Sequence, residues 1–235
     1  MGEASLWGRL KTSLQASAGE VVFGMEDGTV SIFGLVFGVA ATTSDQKAVL
    51  IAGASGAVAA AVSMMAGTYL DAETGEDQAK VTAARIASDL QQNPGAVLQG
   101  VTQRLQAVGL ANDQAASVKS FLGSQPGVLR SFAMALAMPG DADSRQSPLV
   151  RSLWMLLADF LAAAIPILPF GFLPVAQGRV VSGIVTTLLL VALGVGRAKI
   201  GGRSIVRTVF ETVSIGVAAA IAGVGIGVFV SHIFT

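Results

Sequence analysis

Two apolar runs, Val21 to Ala41 and Ala48 to Leu70, are separated only by the polar stretch Thr42-Thr43-Ser44-Asp45-Gln46-Lys47. Each reaches the ~20 residues a helix needs to cross a bilayer. Backbone in hydrocarbon must satisfy its own hydrogen bonds, which makes helix the form each run takes. So short a link makes the pair an antiparallel hairpin. With a mean hydropathy of +0.67 and 13% charged residues, against roughly 25% in a soluble domain, the expected fold class is an all-α polytopic membrane protein.

Three more apolar stretches follow, from near Leu149 to about Phe170, from about Val180 to Gly196 and from about Val206 to His232. That predicts five spans, with the termini on opposite faces. Between spans two and three the composition turns polar at Asp71, and residues 78–91, 96–108 and 112–122 read as amphipathic helices separated by Asn93-Pro94-Gly95 and Gly109. The expected division is an N-terminal cytosolic or interfacial segment 1–20, a transmembrane hairpin 21–70, a cytosolic helical insert 71–147 and spans three to five over 148–235. Pro166 and Pro169 are expected to weaken the end of the third span, and Pro174 and Gly178 to mark the following turn. In the N-terminal segment, Leu6, Trp7, Leu10 and Leu14 share one helical face, which fits a helix on the membrane surface or one packed on the rest of the protein.

Gly34 and Gly38 in the first span, Gly53 and Gly56 in the second and Gly223, Gly225 and Gly227 in the fifth permit close helix approach, within one chain or between protomers. Grouping the N-terminus, the insert and the 197–207 loop collects Arg9, Lys11, Lys80, Arg85, Arg104, Lys119, Arg130, Arg145, Arg151, Arg197, Lys199, Arg203 and Arg207 on one side. Lys47 and Arg179 fall on the other. The positive-inside rule then makes the N-terminus cytosolic. The N-terminal segment has no continuous apolar core of a signal peptide, which fits a bacterial inner membrane.

Composition also excludes. There is no Cys and a single His, His232, so thiolate and His-cluster metal motifs and a Ser-His-Asp arrangement are out. A net charge of zero gives no pull toward nucleic acid. No nucleophile–base pair or cofactor motif appears, so the chain is not expected to be an enzyme or to hold a cofactor.

What remains is a set of acids in apolar surroundings. Glu26 and Asp27 lie about five residues inside the first run, where an ionised carboxylate costs about 2.5–3.5 kcal/mol on the most lenient scale and marks a functional site by default. Asp159 lies midway along the third span, Glu211 in the first turns of the fifth, and Met64-Met65 near the end of the second. At ~1.5 Å per residue, Asp27, Met64, Asp159 and Glu211 all fall in the cytosolic half of the membrane. Carboxylate and thioether at one depth suit a borderline divalent metal. Each has a plainer reading: Glu211 can pair with Arg207, Asp159 can bond to backbone, and the methionines can be packing. Asp71, Glu73, Glu76 and Asp77, where the second span ends, can collect cations or form a solvated helix face.

Asp27-Gly28 with Val30 and Phe33, Ala61-Val62-Ser63-Met64 with Gly67 and Tyr69-Leu70, and Ile165-Pro166-Ile167-Leu168-Pro169-Phe170 occur here in an order and spacing that resemble the vacuolar iron transporter family, from about Val22 to Ile233. The resemblance implies a homodimer of five-span subunits that moves Fe²⁺, often Mn²⁺, out of the cytosol in exchange for protons. Asp27 and Met64 then line the path, and the metal is substrate rather than cofactor. Two departures stand out. Gly56 occupies the position of a second-span Glu, which makes Asp159 and Glu211 the replacements to test. The insert carries Ile86, Asp89, Val97, Gly100 and Ala137 where the family's plant-type members carry metal-binding side chains, with Asp89 and Met134 the remnants, so it is expected to lack a metal store. The competing readings are a carrier of another cation and a membrane scaffold whose cytosolic helices bind a partner.

Overall fold

A computed structural model describes residues 6–137 and 147–234. Arg145, one of the cations counted for orientation, and the side chain of Leu6 lie outside the described residues. The helices are α1 (Leu6–Ala16), α2 (Ala18–Thr42), α3 (Gln46–Gln92), α4 (Pro94–Ala107), α5 (Asn112–Ser124), α6 (Pro126–Ala137), α7 (Pro148–Ile167), α8 (Pro169–Phe172), α9 (Val175–Ile200) and α10 (Ile205–Phe234). Five of them, α2, α3, α7, α9 and α10, are long and apolar enough to cross a membrane. The chain divides into two compact units, Met1–Leu70 with Gln146–Thr235, and Asp71–Arg145.

In the first unit α2 is central, packing against α7, α9 and α10. The residues that meet fix the directions. Arg151 reaches Glu20, Met155 faces Gly24 and Asp159 faces Gly28, stepping one turn at a time on both helices, so α7 runs parallel to α2. Ala219 meets Gly34 and Gly223 meets Gly38, so α10 is parallel too. Arg197 meets Glu26 and Gly183 meets Phe37, which makes α9 antiparallel. A Cβ on Gly38 would come within 2.5 Å of the Gly223 carbonyl, and one on Gly34 within 2.8 Å of the Ala219 carbonyl. Gly34, Gly38, Gly223 and Gly227 thus serve contact within one chain, where small residues let two backbones approach, whereas Gly225 has nothing within 4 Å of its Cβ position.

The hairpin forms as expected. Asp45 Oδ1 accepts from the Lys47 amide at 2.9 Å and starts α3. Val49, Gly53, Ala57 and Ala61 form its buried stripe, at the spacing of four that keeps one face inward. Gly53 touches Val36 and Ile167, and Gly56 touches Leu35 and Ile32. Ile32, Val36, Ala40, Val49, Ala57, Ala163, Phe170 and Val175 close the half of the bundle near this hairpin with an apolar core.

Several expectations are corrected. The second-span helix does not end at Asp71 but continues to Gln92, so it contributes to both units. Nothing between Leu70 and Gln92 breaks a helix, and Lys80 pairs with Asp77 at 2.9 Å along it. The stop comes at Asn93, whose side chain accepts from the Ala96 amide and caps α4. Pro126–Ala137 adds a helix absent from the sequence reading. The third span runs through Pro166 to Ile167, and the Pro166 carbonyl accepts from the Ser182 hydroxyl at 2.8 Å. Gly178 lies inside α9 rather than in a turn, and the Phe170 ring packs where its Cβ would be, at 2.8 Å. In α1, Trp154 Nε1 donates to Ser13 Oγ at 2.9 Å while Trp7, Leu10 and Leu14 stay exposed, so the helix is tied to the bundle and still presents an apolar face.

The second unit has its own core of Val101, Leu122, Leu129 and Ala133, with Ile86, Leu90, Val97, Phe132 and Leu136 packed around it. Ile86 and Val97 are two of the departures noted in the insert, and both are used for packing.

Candidate functional site

The polar residues of the bundle gather at the end away from the hairpin, and pairing sorts them. Glu20 of α2 is held by Arg151 of α7. Glu26 is buried; Arg197 of α9 donates to it at 3.0 Å, and Thr212 of α10 donates at 3.1 Å. Glu211 is held by Arg207 at 3.0 Å and Arg203 at 3.1 Å. Of the acids read as metal-binding from sequence, Glu26 and Glu211 therefore have arginine partners.

Asp27 and Asp159 do not. Among the described residues no Lys, Arg or His lies within ion-pair distance of either. Asp27 is half-buried, shares a hydrogen bond with the Ser31 side chain, and feels the charge of its neighbour Glu26. With Glu26, Val22, Phe23, Val30, Arg197 and Arg203 it lines a cavity of ≈ 460 Å³. Asp159 is completely buried, and neither carboxylate oxygen has a hydrogen-bond partner. It lies against Gly28, the residue after Asp27, and its charge is opposed by that of Asp27. Glycine is what admits it, since a Cβ on Gly28 would collide with both the carboxylate and the Asp159 carbonyl.

Met155, one turn before Asp159, is buried with its sulfur 2.6 Å from where a Gly24 Cβ would lie. The sequence reading missed it, because a methionine in an apolar span has no mark until its neighbours are known. Met64 is partly buried on α3. The antiparallel register set by Gly53–Val36 and Gly56–Ile32 carries it to the level of Gly24–Met25, within a turn of Asp27, but no described contact joins it to Asp27. A Cβ on Gly56 would meet the side-chain ends of Leu35 and Ile32 at 3.2–3.3 Å, so the position faces apolar groups of α2. No three His, Asp or Glu side chains converge to hold a metal among the described residues. Asp89 of the second unit lies 3.9 Å from Arg85 on an exposed face.

This arrangement, an acid-lined cavity on the central span of a five-span bundle, lies within residues 18–228, which match the profile of the VIT family. The chain belongs to the VIT family. Vacuolar iron transporter 1 of Arabidopsis thaliana is 27% identical over 94% of this chain and 90% of its own length. Vacuolar iron transporter of Centaurea cyanus is 26% identical over 88% and 84%. Vacuolar iron transporter homolog 1 of Oryza sativa subsp. japonica is 30% identical over 61% and 68%. These relatives are named as transporters, and this VIT-family chain is a membrane protein, not an enzyme. They are plant proteins named for the vacuole, which lends nothing to the expectation of a bacterial inner membrane.

Proposed function

We propose that this VIT-family chain is a divalent metal transporter that moves Fe²⁺ or Mn²⁺ out of the cytosol in exchange for protons, working as a homodimer. The observation that carries the reading is Asp27, a half-buried carboxylate with no cation partner among the described residues, lining a cavity on the central span. Glu26 beside it is neutralised by Arg197. The chain thus spends one acid on holding three helices together and leaves its neighbour for a mobile cation. The iron-transporter names of the relatives supply the substrate class. Met64, within one helical turn of the level of Asp27 by register, adds a thioether that suits iron better than Mg²⁺ or Ca²⁺.

Charge placement supports a cytosolic N-terminus. Arg151, Arg197, Arg203 and Arg207 all pair with acids at the Asp27 end of the bundle, whereas Lys47 and Arg179 sit at the ends of α3 and α9 beside the hairpin. The cavity at Asp27 is then on the cytosolic side, and the apolar core around Val36, Val49 and Phe170 closes the other side. Loading from the cytosol needs that asymmetry, and release needs it to invert.

Expression in cells loaded with iron, read by a cytosolic fluorescent chelator, tests substrate and direction together. The native chain lowers cytosolic Fe²⁺ and Asp27→Asn does not. Equal cytosolic iron with and without the native chain in the membrane contradicts the proposal.

A further inference from the structure

We propose that Asp159, on the third membrane-spanning helix, forms a two-carboxylate divalent-cation site with Asp27 across Gly28. This rests on the cation-transport reading and adds to it a ligand and a helix.

Three observations converge. Asp159 is fully buried and both of its oxygens lack a hydrogen-bond partner, although a carboxylate taken out of water without compensation costs several kcal/mol. Its position is built, because Gly28 is the residue that lets α7 bring the carboxylate against α2, and Asp27 is the next residue along. The surrounding cations are already committed: Arg151 to Glu20, Arg197 to Glu26, and Arg203 with Arg207 to Glu211. Asp27 and Asp159, left without a cation, flank the Gly28 contact and oppose each other's charge. A divalent cation between them supplies the partner that Asp159 lacks and the counter-charge that neither acid has among the described residues, and carboxylate oxygens suit hard to borderline metals of the Mn²⁺ and Fe²⁺ type. A purely structural acid would instead be found with a donor, as Glu20, Glu26 and Glu211 are.

The test is Mn²⁺ binding to the full chain in detergent, followed by loss of the free-ion electron paramagnetic resonance signal, for the native protein, Asp159→Asn and Asp27→Asn. Asp159→Ala, which cannot crowd Gly28, is run alongside in case the Asn variant fails to fold. The expected result is saturable binding to the native chain, weakened about tenfold or more by loss of either carboxylate, since even a residue that only supports a ligand contributes 10–100-fold in affinity. If both Asp159 variants bind as the native chain does while Asp27→Asn is weakened, the second carboxylate is not a ligand. The proposal then falls and the transport reading stands. If the folded native chain binds no Mn²⁺, both fall.

Discussion

Arg197 Nη1 lies 3.0 Å from Glu26 Oε1, joining two membrane-spanning helices whose contact residues are far apart in sequence. Thr212 donates to the same oxygen at 3.1 Å and brings in a third helix. Removing one partner of a buried pair leaves an uncompensated charge and costs about 3–5 kcal/mol when both are fully buried. The Arg197 side chain is 38% exposed, so Arg197→Met is expected at or below the bottom of that range. Thermal unfolding in detergent checks it. The double variant Glu26→Gln with Arg197→Met should recover part of the loss, because the stranded charge is gone.

Gly28 and Gly67 make a matched pair. Both are helical, but a Cβ on Gly28 meets Asp159 backbone whereas one on Gly67 meets nothing within 4 Å. Gly28→Ala should lower stability by about 1–3 kcal/mol through overpacking. Gly67→Ala should leave stability unchanged or raise it by about 0.5–1 kcal/mol, the helical advantage of Ala over Gly. Melting temperatures of the two variants side by side decide whether the α2–α7 contact is as close as described.

Gly56→Glu would place an acid in the second span. It is expected to destabilise the bundle rather than strengthen metal binding, because the new carboxylate would face the apolar ends of Leu35 and Ile32 within a membrane-spanning helix. A melting temperature below native with no gain in Mn²⁺ affinity is the predicted outcome.

The helical insert should not contribute a metal store. Asp89→Asn with Met134→Leu in the full chain is expected to leave the number of Mn²⁺ ions bound per chain unchanged, as measured by equilibrium dialysis. Asp89 is exposed beside Arg85. Val97 and Ile86, at two of the other positions, pack around the unit's core.

The spans, their number and the hairpin were legible because length and apolarity dictate them locally. Asp27 was legible as a candidate for the same reason: a carboxylate in an apolar run stands out without a structure. What sequence could not supply was register. That α7 lies parallel to α2, putting Met155 on Gly24 and Asp159 on Gly28, depends on contacts between residues far apart in the chain. The same gap hid the partner of Glu26, which sequence placed only as an acid beside Asp27. The continuity of α3 past Leu70 was missed for a different reason. A change from apolar to polar composition marks a change of solvent, not the end of a helix, and no breaker occurs before Asn93-Pro94.

The measurement that tests the central claim most directly is Fe²⁺ entry into proteoliposomes under an imposed proton gradient, with a second trace reporting internal pH, for the native chain and Asp27→Asn. The account predicts metal entry coupled to proton movement in the opposite direction, both lost in the variant. Entry that ignores the proton gradient would contradict the exchange, and equal entry through Asp27→Asn would contradict the place assigned to Asp27 on the path.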